Sequence, residues 1–181
     1  MRLFFMSDIH GSLFYLKKGL EAFHKEGADY LVLIGDLLYH GPRNPLPKDY
    51  NPMEVAKELN LYKHKILAVR GNCDSEVDAM VLEFFMQADY AVIMNENRRF
   101  FITHGHIFSE DQLNNMLQED IVVQGHTHIP LANKKENYYI FNPGSIALPK
   151  DGYPNSYGII EGKSWLVKDL EGNTIMSANW E

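Results

Sequence analysis

Only one cysteine, Cys73, occurs among the 181 residues. An internal disulfide is therefore excluded, as is a thiolate-rich structural zinc site, and a reducing compartment is expected. Long apolar runs are missing too. Nothing approaches the roughly 20 residues that a membrane span requires, and Leu3 to Met6, preceded by little more than Arg2, is too short for the core of a secretory signal. The expected location is the cytoplasm. The chain also lacks any surplus of positive charge: its formal net charge is −7, the wrong sign for gripping nucleic acid over a broad surface. An anionic substrate would have to be attracted by a local site. Internal repeats, low-complexity tracts and linkers are absent, and 181 residues suit one core, so a single domain over residues 1–181 is expected.

What is present alternates in type along the chain. Short apolar runs at Arg2–Ser7, Tyr30–Ile34 and Lys65–Val69 read as buried strands. Leu13–Lys25 has helical spacing in Leu13, Leu16, Leu20 and Phe23, and Pro52 suits the first turn of a helix running to about Leu61. Tyr39–Pro52, with four prolines, is a loop. Further strands are expected at Tyr90–Met94, Phe100–Thr103, Ile121–Gln124, Tyr138–Phe141, Tyr157–Ile160, Trp165–Leu170 and Thr174–Ala178, with a short helix at Glu110–Leu117. The first half predicts a parallel sheet and the strand-rich second half a more antiparallel one. Two sheets packed together with helices outside is the economical α/β arrangement.

Five times an apolar strand ends in a carboxylate, amide or imidazole beside glycine. The residues are Asp8 and His10, Asp36, Asn72, His104, and His126 with His128. Such residues converge beyond the carboxyl ends of strands in open α/β sheets. In extended chain, residues two apart point the same way, so Asp8/His10 and His126/His128 each offer two donors to one place. Imidazole with carboxylate suits divalent manganese, iron, zinc or nickel. Seven donors exceed what one ion at an open site needs and suit two, with Asp36 as the bridging carboxylate. Two divalent ions against two aspartates leave a surplus of about two positive charges, enough to hold hydroxide and a phosphate anion.

The motifs Asp8-x-His10, Gly35-Asp36, Gly71-Asn72, His104-Gly105 and Gly125-His126-x-His128 resemble, in order, those of calcineurin-like metallophosphoesterases. Ser7 to Ser12, Asn72 to Asp78 and Asn142 to Ser145 are similar to the small YfcE-type bacterial phosphodiesterase branch. The resemblance implies a four-layer αββα sandwich of two mixed sheets, and a dinuclear centre with manganese the expected metal. It implies that Asp8, His10, Asp36 and His128 hold one ion, and Asp36, Asn72, His104 and His126 the other. A homo-oligomer rests on the resemblance alone.

Many relatives carry histidine after the Gly-Asn pair, where it protonates the leaving group; here Cys73 stands there. Diesters or aryl esters with good leaving groups are therefore the expected substrates, cleaved by a hydroxide shared between ions about 3.5–4 Å apart. Asn72, Cys73, Asp74 and His104 form the candidate catalytic set, and Arg43 and Arg70 the candidate phosphate contacts. Asp74, His106 and Asn142 are candidates for fixing the imidazoles; Asp74 also reads as an N-cap for a helix starting near Ser75. His24 and His64 read as surface residues and His40 as a turn residue. The competing readings are a phosphomonoesterase or protein phosphatase, a nuclease, and a non-catalytic scaffold such as the retromer subunit of similar fold.

Overall fold

The first strand shows how the layers arise. In the computed structural model, which describes residues 1–95, 97–116 and 119–180, β1 (Leu3–Met6) is buried on both faces. Side chains alternate across a strand, so its two faces meet different partners. Phe4 and Met6 pack with Leu16, Leu20 and Phe23 of helix α1 (Leu13–Glu26), whereas Leu3 and Phe5 join Phe100, Ile121 and Phe141 from a second sheet. The helix begins where the Ser12 side chain accepts from the Tyr15 amide and ends at Gly27, in the left-handed conformation. Helix α2 (Pro52–Asn60) has proline in its first turn and is capped by Asn51, and it buries Val55, Ala56 and Leu59 in the same outer cluster as α1.

The first sheet has six strands in the order β11-β10-β9-β1-β2-β3. Here β2 is Tyr30–Leu33, β3 Ile66–Ala68, β9 Ser156–Glu161, β10 Ser164–Asp169 and β11 Thr174–Asn179. Pairing is parallel through β1, β2 and β3 and antiparallel from β1 outward through β9, β10 and β11. The second sheet runs β4-β5-β6-β8-β7, with β4 at Tyr90–Asn95, β5 at Arg98–Thr103, β6 at Ile121–Val123, β7 at Leu131–Lys134 and β8 at Tyr139–Asn142. Its central strands β5, β6 and β8 are parallel and its two edges antiparallel. The sheets meet around Trp165, whose ring stacks on Phe141 with centroids 5.1 Å apart. Outside the second sheet, Leu113 of α3 (Glu110–Met116) covers Phe101, Val122 and Ile140. Helix, sheet, sheet and helix give the expected four-layer α/β sandwich of two mixed sheets.

Three expectations are corrected. The second half builds the second sheet, but with a parallel centre, and its last three strands leave it: β9 to β11 extend the first sheet beside β1. Edge strand β7 was not foreseen; Leu-Ala-Asn-Lys is partly exposed and carries no apolar alternation. No helix starts near Ser75; a 3-10 turn forms at Asp78–Met80, and the Asp78 carboxylate takes the Ser75 amide. The helix expected to reach Leu117 is seen through Met116, and Leu117 lies outside the described residues. No described helix is long and apolar enough to cross a membrane.

Candidate metal centre

The turns leaving β1, β2, β3, β5 and β6 carry the seven donors, and backbone hydrogen bonds lash those turns together. The amides of Asp8 and His10 donate to the carbonyls of Gly35 and Asp36, and the Gly125 amide to that of His104. The donors do not converge by strand alternation as the sequence suggested. Asp8, His10, Asp36, His126 and His128 all adopt positive φ, between 49° and 66°. This region is uncommon for residues other than glycine, and each such residue is a local strain that the surrounding structure must hold. The chain therefore turns sharply off each strand end and aims side chains inward.

Their atoms meet closely. His10 Nε2 lies 3.2 Å from His128 Nε2, 3.7 Å from Asp8 Oδ1 and 3.6 Å from Asp36 Oδ2. His104 Nε2 lies 3.4 Å from Asp36 Oδ2 and 3.2 Å from Asn72 Oδ1. The His126 ring sits 5.1 Å from that of His104, and its backbone amide donates to Asp8 Oδ2. Asp36 thus stands between an Asp8–His10–His128 group and an Asn72–His104–His126 group.

The far side of three imidazoles is fixed. Nδ1 of His10, His104 and His128 faces the backbone carbonyls of Tyr39, Ile34 and Leu148 at 2.8, 2.6 and 2.6 Å. A carbonyl only accepts, so Nδ1 carries the proton and Nε2 is free to point a lone pair into the site. Two such lone pairs facing each other, with the buried Asp8 Oδ1 3.2 Å from His128 Nε2, make an arrangement that a divalent cation satisfies. The donor set fits a metal pair.

Electrostatics agree. Burial opposes the charge on Asp36, but His104, His10 and the Cys73 amide outweigh it and hold the carboxyl well below the usual range. Asp8 is lowered in the same contest, burial against His128 and His104. Burial opposes protonation of His104, yet Asp36 and Asp8 prevail and raise it to about 9; its Nε2 then carries a proton that a bound cation would displace. His10 and His126 are pushed down by burial.

Asp74 has a different task from the donors. Its carboxylate accepts from the amides of Asp36, Leu37 and Gly71, each at 2.8 Å, so it clamps the Asp36 turn to the Asn72 turn. Burial, with Asp36 nearby, raises its pKa to about 6. It caps no helix and faces backbone amides. Gly71 is required here, since a Cβ would fall 2.1 Å from Asp36 Oδ1. Asn142 anchors another turn, donating to the Gly125 carbonyl and to Thr127 Oγ1. Ser145 donates to the Asp8 carbonyl and Ser7 to the Asp8 carboxylate.

Above the donors opens a cleft of about 420 Å³, lined in part by Arg43, Asn44, Cys73, Thr127 and Lys150. Cys73 Sγ comes within 4.8 Å of ligating atoms on His10 and Asp36. Burial and the carboxylates of Asp36 and Asp74 push its thiol up to about 12. Arg43 stands at the cleft as expected; Arg70 does not, being paired with Asp89 at 2.6 Å. Lys150 was missed, for it sits in a loop with no pattern of its own; its backbone amide donates to the His128 carbonyl. His106 is exposed beside His104 and His126, ring centroids 5.3 and 6.1 Å away. His40 stays a turn residue whose carbonyl accepts from Asn44, and His24 bonds Tyr62 at the surface.

The sequence profile of the calcineurin-like phosphoesterase superfamily domain matches residues 1–164. The chain belongs to the calcineurin-like phosphoesterases. It is 47% identical over 177 residues to Phosphodiesterase YfcE of Escherichia coli (strain K12), covering 98% of this chain and 96% of that one. The solved structure of Yfce, described as a phosphoesterase from E. coli, superposes with a TM-score of 0.95 at 46% identity, over 99% of both chains. Phosphodiesterase MJ0936 of Methanocaldococcus jannaschii is 27% identical over 89% of this chain and 93% of that one. Vacuolar Protein Sorting 29 from Cryptosporidium parvum shares the fold alone, with 16% identity and a TM-score of 0.66 over 99% of this chain and 98% of that one. The chain is thus a phosphoric ester hydrolase of a family that works with divalent metal ions.

Proposed function

We propose that this phosphoesterase is a cytoplasmic, manganese-dependent phosphodiesterase acting on esters with good leaving groups. The observation that carries the reading is the pair of Nε2 atoms of His10 and His128, held face to face beside the buried Asp8 Oδ1. Asp8, His10, Asp36 and His128 would hold one cation, and Asp36, Asn72, His104 and His126 the second. Bound together, such ions supply an activated water and neutralise phosphoryl charge.

The chain's own groups do the rest. The Nδ1 anchors keep the imidazoles from rotating, and Asp74 keeps the Asp36 and Asn72 turns in register. Asn72 offers amide hydrogens toward a phosphoryl oxygen, and Arg43 and Lys150 offer cations at the mouth. The leaving group is served poorly: Cys73 stands where an imidazole would donate, and a thiol held near 12 is a weak acid. An aryl or otherwise stabilised leaving oxygen departs without that help, which favours diesters of this kind over alkyl monoesters. The printed names of YfcE and MJ0936, both phosphodiesterases, support the same choice. A complete set of seven donors is more than a scaffold needs.

The test is metal analysis joined to a manganese-supplemented screen of aryl diester, aryl monoester and cyclic nucleotide, with Cys73→His run beside the native chain. Two ions per chain, preference for the aryl diester, and a gain in monoester turnover in the variant are expected. A native chain that holds no metal, or prefers the monoester, overturns the proposal.

A further inference from the structure

In a chain of net charge −7, most cationic side chains find a partner. Arg2, Arg70, Arg98 and Arg99 each pair with a carboxylate. Most lysines do the same or lie over an aromatic ring, as Lys48 does over Phe14. Arg43, the one remaining arginine, has no such partner among the described residues, and neither has Lys150. Both line the cleft above the donors. The other unmatched lysines, Lys25 on α1 and Lys163 in the β9–β10 turn, do not.

The two cations rise from loops that also fix the floor. The loop of Arg43 begins at Tyr39, whose carbonyl holds His10, and the loop of Lys150 includes Leu148, whose carbonyl holds His128. Both charges therefore belong to the His10–His128 half of the site. The turns of Asn72, His104 and His126 bring no lysine or arginine to the cleft, since Arg70 faces Asp89. Among the described lining residues Asp36 is the only carboxylate, and it is engaged on the floor with His10 and His104. One end of the cleft is thus left cationic, with nothing of the protein's own to neutralise it.

We infer that Arg43 and Lys150 together bind a second phosphate group, distinct from the one at the metal centre, so that on the phosphodiesterase reading given above the substrate is a diester with one phosphorylated arm. Charge selects phosphate. A terminal phosphate monoester carries about −1.5 to −2 at neutral pH and balances both cations, whereas a carboxylate leaves one of them unmatched. Geometry suits it as well. The planar fork of Arg43 takes two phosphate oxygens and the Lys150 ammonium a third. The cleft, at about 420 Å³, is of a size that holds a small organic ligand. Because the cations stand at one end only, one arm carries the extra charge and the other need not. The overall field of the protein repels such a polyanion, so these two unmatched side chains and the metal centre must supply the local attraction.

The test is calorimetric titration of the manganese-loaded protein with two probes on one carrier, thymidine 5′-monophosphate and thymidine 3′,5′-bisphosphate. The native chain should bind the bisphosphate about tenfold more tightly or better, as two exposed cations facing one dianion allow. Arg43→Gln and Lys150→Gln combined should bring the two affinities within about twofold of each other, and either alone should narrow the gap. Lys163→Gln, which removes an exposed lysine outside the cleft, should keep the native preference. A native-like thermal midpoint would show that the double variant folds, as exposure of both side chains predicts. Equal affinity for the two probes in native protein overturns the proposal, and so does a preference that survives in the double variant. Aryl diester turnover on the same preparations separates the two readings. A chain that cleaves the diester but binds both probes equally loses the second phosphate site alone. A chain that prefers the bisphosphate through Arg43 and Lys150 but cleaves no diester keeps the site and loses the diesterase reading.

Discussion

The floor and the mouth of the cleft are built by opposite means. On the floor, His10, His104 and His128 are buried, each tied by Nδ1 to a backbone carbonyl, and Asp8 and Asp36 lie on left-handed backbone that neighbouring turns hold in place. At the mouth, Arg43 and Lys150 are exposed on loops, and no side-chain partner holds them among the described residues. Fixed geometry suits groups that must keep metal ions in place through every turnover. Exposed cations suit a substrate whose ester arms vary. The floor should therefore determine the reaction and the mouth the choice of substrate.

The sharpest way to break this contrast is Asp36→Asn, which removes the carboxylate between the two donor groups. Turnover should fall on the order of 10³-fold or more, as loss of several kcal/mol of metal-derived stabilisation requires, and bound metal should drop when measured on the purified variant. Retention of both ions and near-native kcat would remove Asp36 from the centre. Asp74→Asn comes next. It replaces an acceptor for three amides with a group that also donates, and metal affinity or activity should fall about 10- to 100-fold, the range for groups that orient ligands. Titration with manganese should show the loss as weaker binding, with the screen's substrate order kept. The smallest effect belongs to the mouth. Arg43→Ala and Lys150→Ala should each raise KM about fivefold with kcat within a factor of two, the exposed-cation contribution being about 1 kcal/mol. A fall in kcat matching that of Asp36→Asn would mean that the two regions do not divide the work as described.

The same contrast explains what could be read from the sequence. The floor is legible because each donor or donor pair follows closely on an apolar run with a glycine in the same turn, a purely local pattern repeated five times. The way the donors converge was not legible, since left-handed φ at Asp8, His10, His126 and His128 comes from contacts between turns far apart in sequence. Lys150 follows no strand and its place depends on the loop that also carries Leu148 to His128. The Asp74 carboxylate looked like a helix cap because it precedes Ser75, but two amides from the Asp36 turn and that of Gly71 in its own turn compete for it successfully. The layered α/β architecture followed from the alternation of strand and helix patterns. The sheet membership of β9 to β11 did not, because pairing with β1 is decided across the whole chain by packing around Trp165 and Phe5. Short β7 gave no pattern at all.

That pairing of β1 with β9 has a consequence for how the molecule is made. Phe4 and Phe5 lie opposite Ile159 and Gly158, so β1 waits for a strand made much later before its open flank is filled. Contacts of such long sequence separation form slowly. During translation β1, β2 and α1 would stay without this neighbour until β9 has left the ribosome. Folding would then finish at the first strand, which also bears Asp8, and a chain cut short before residue 156 would expose the apolar flank of β1 instead of yielding a smaller working enzyme.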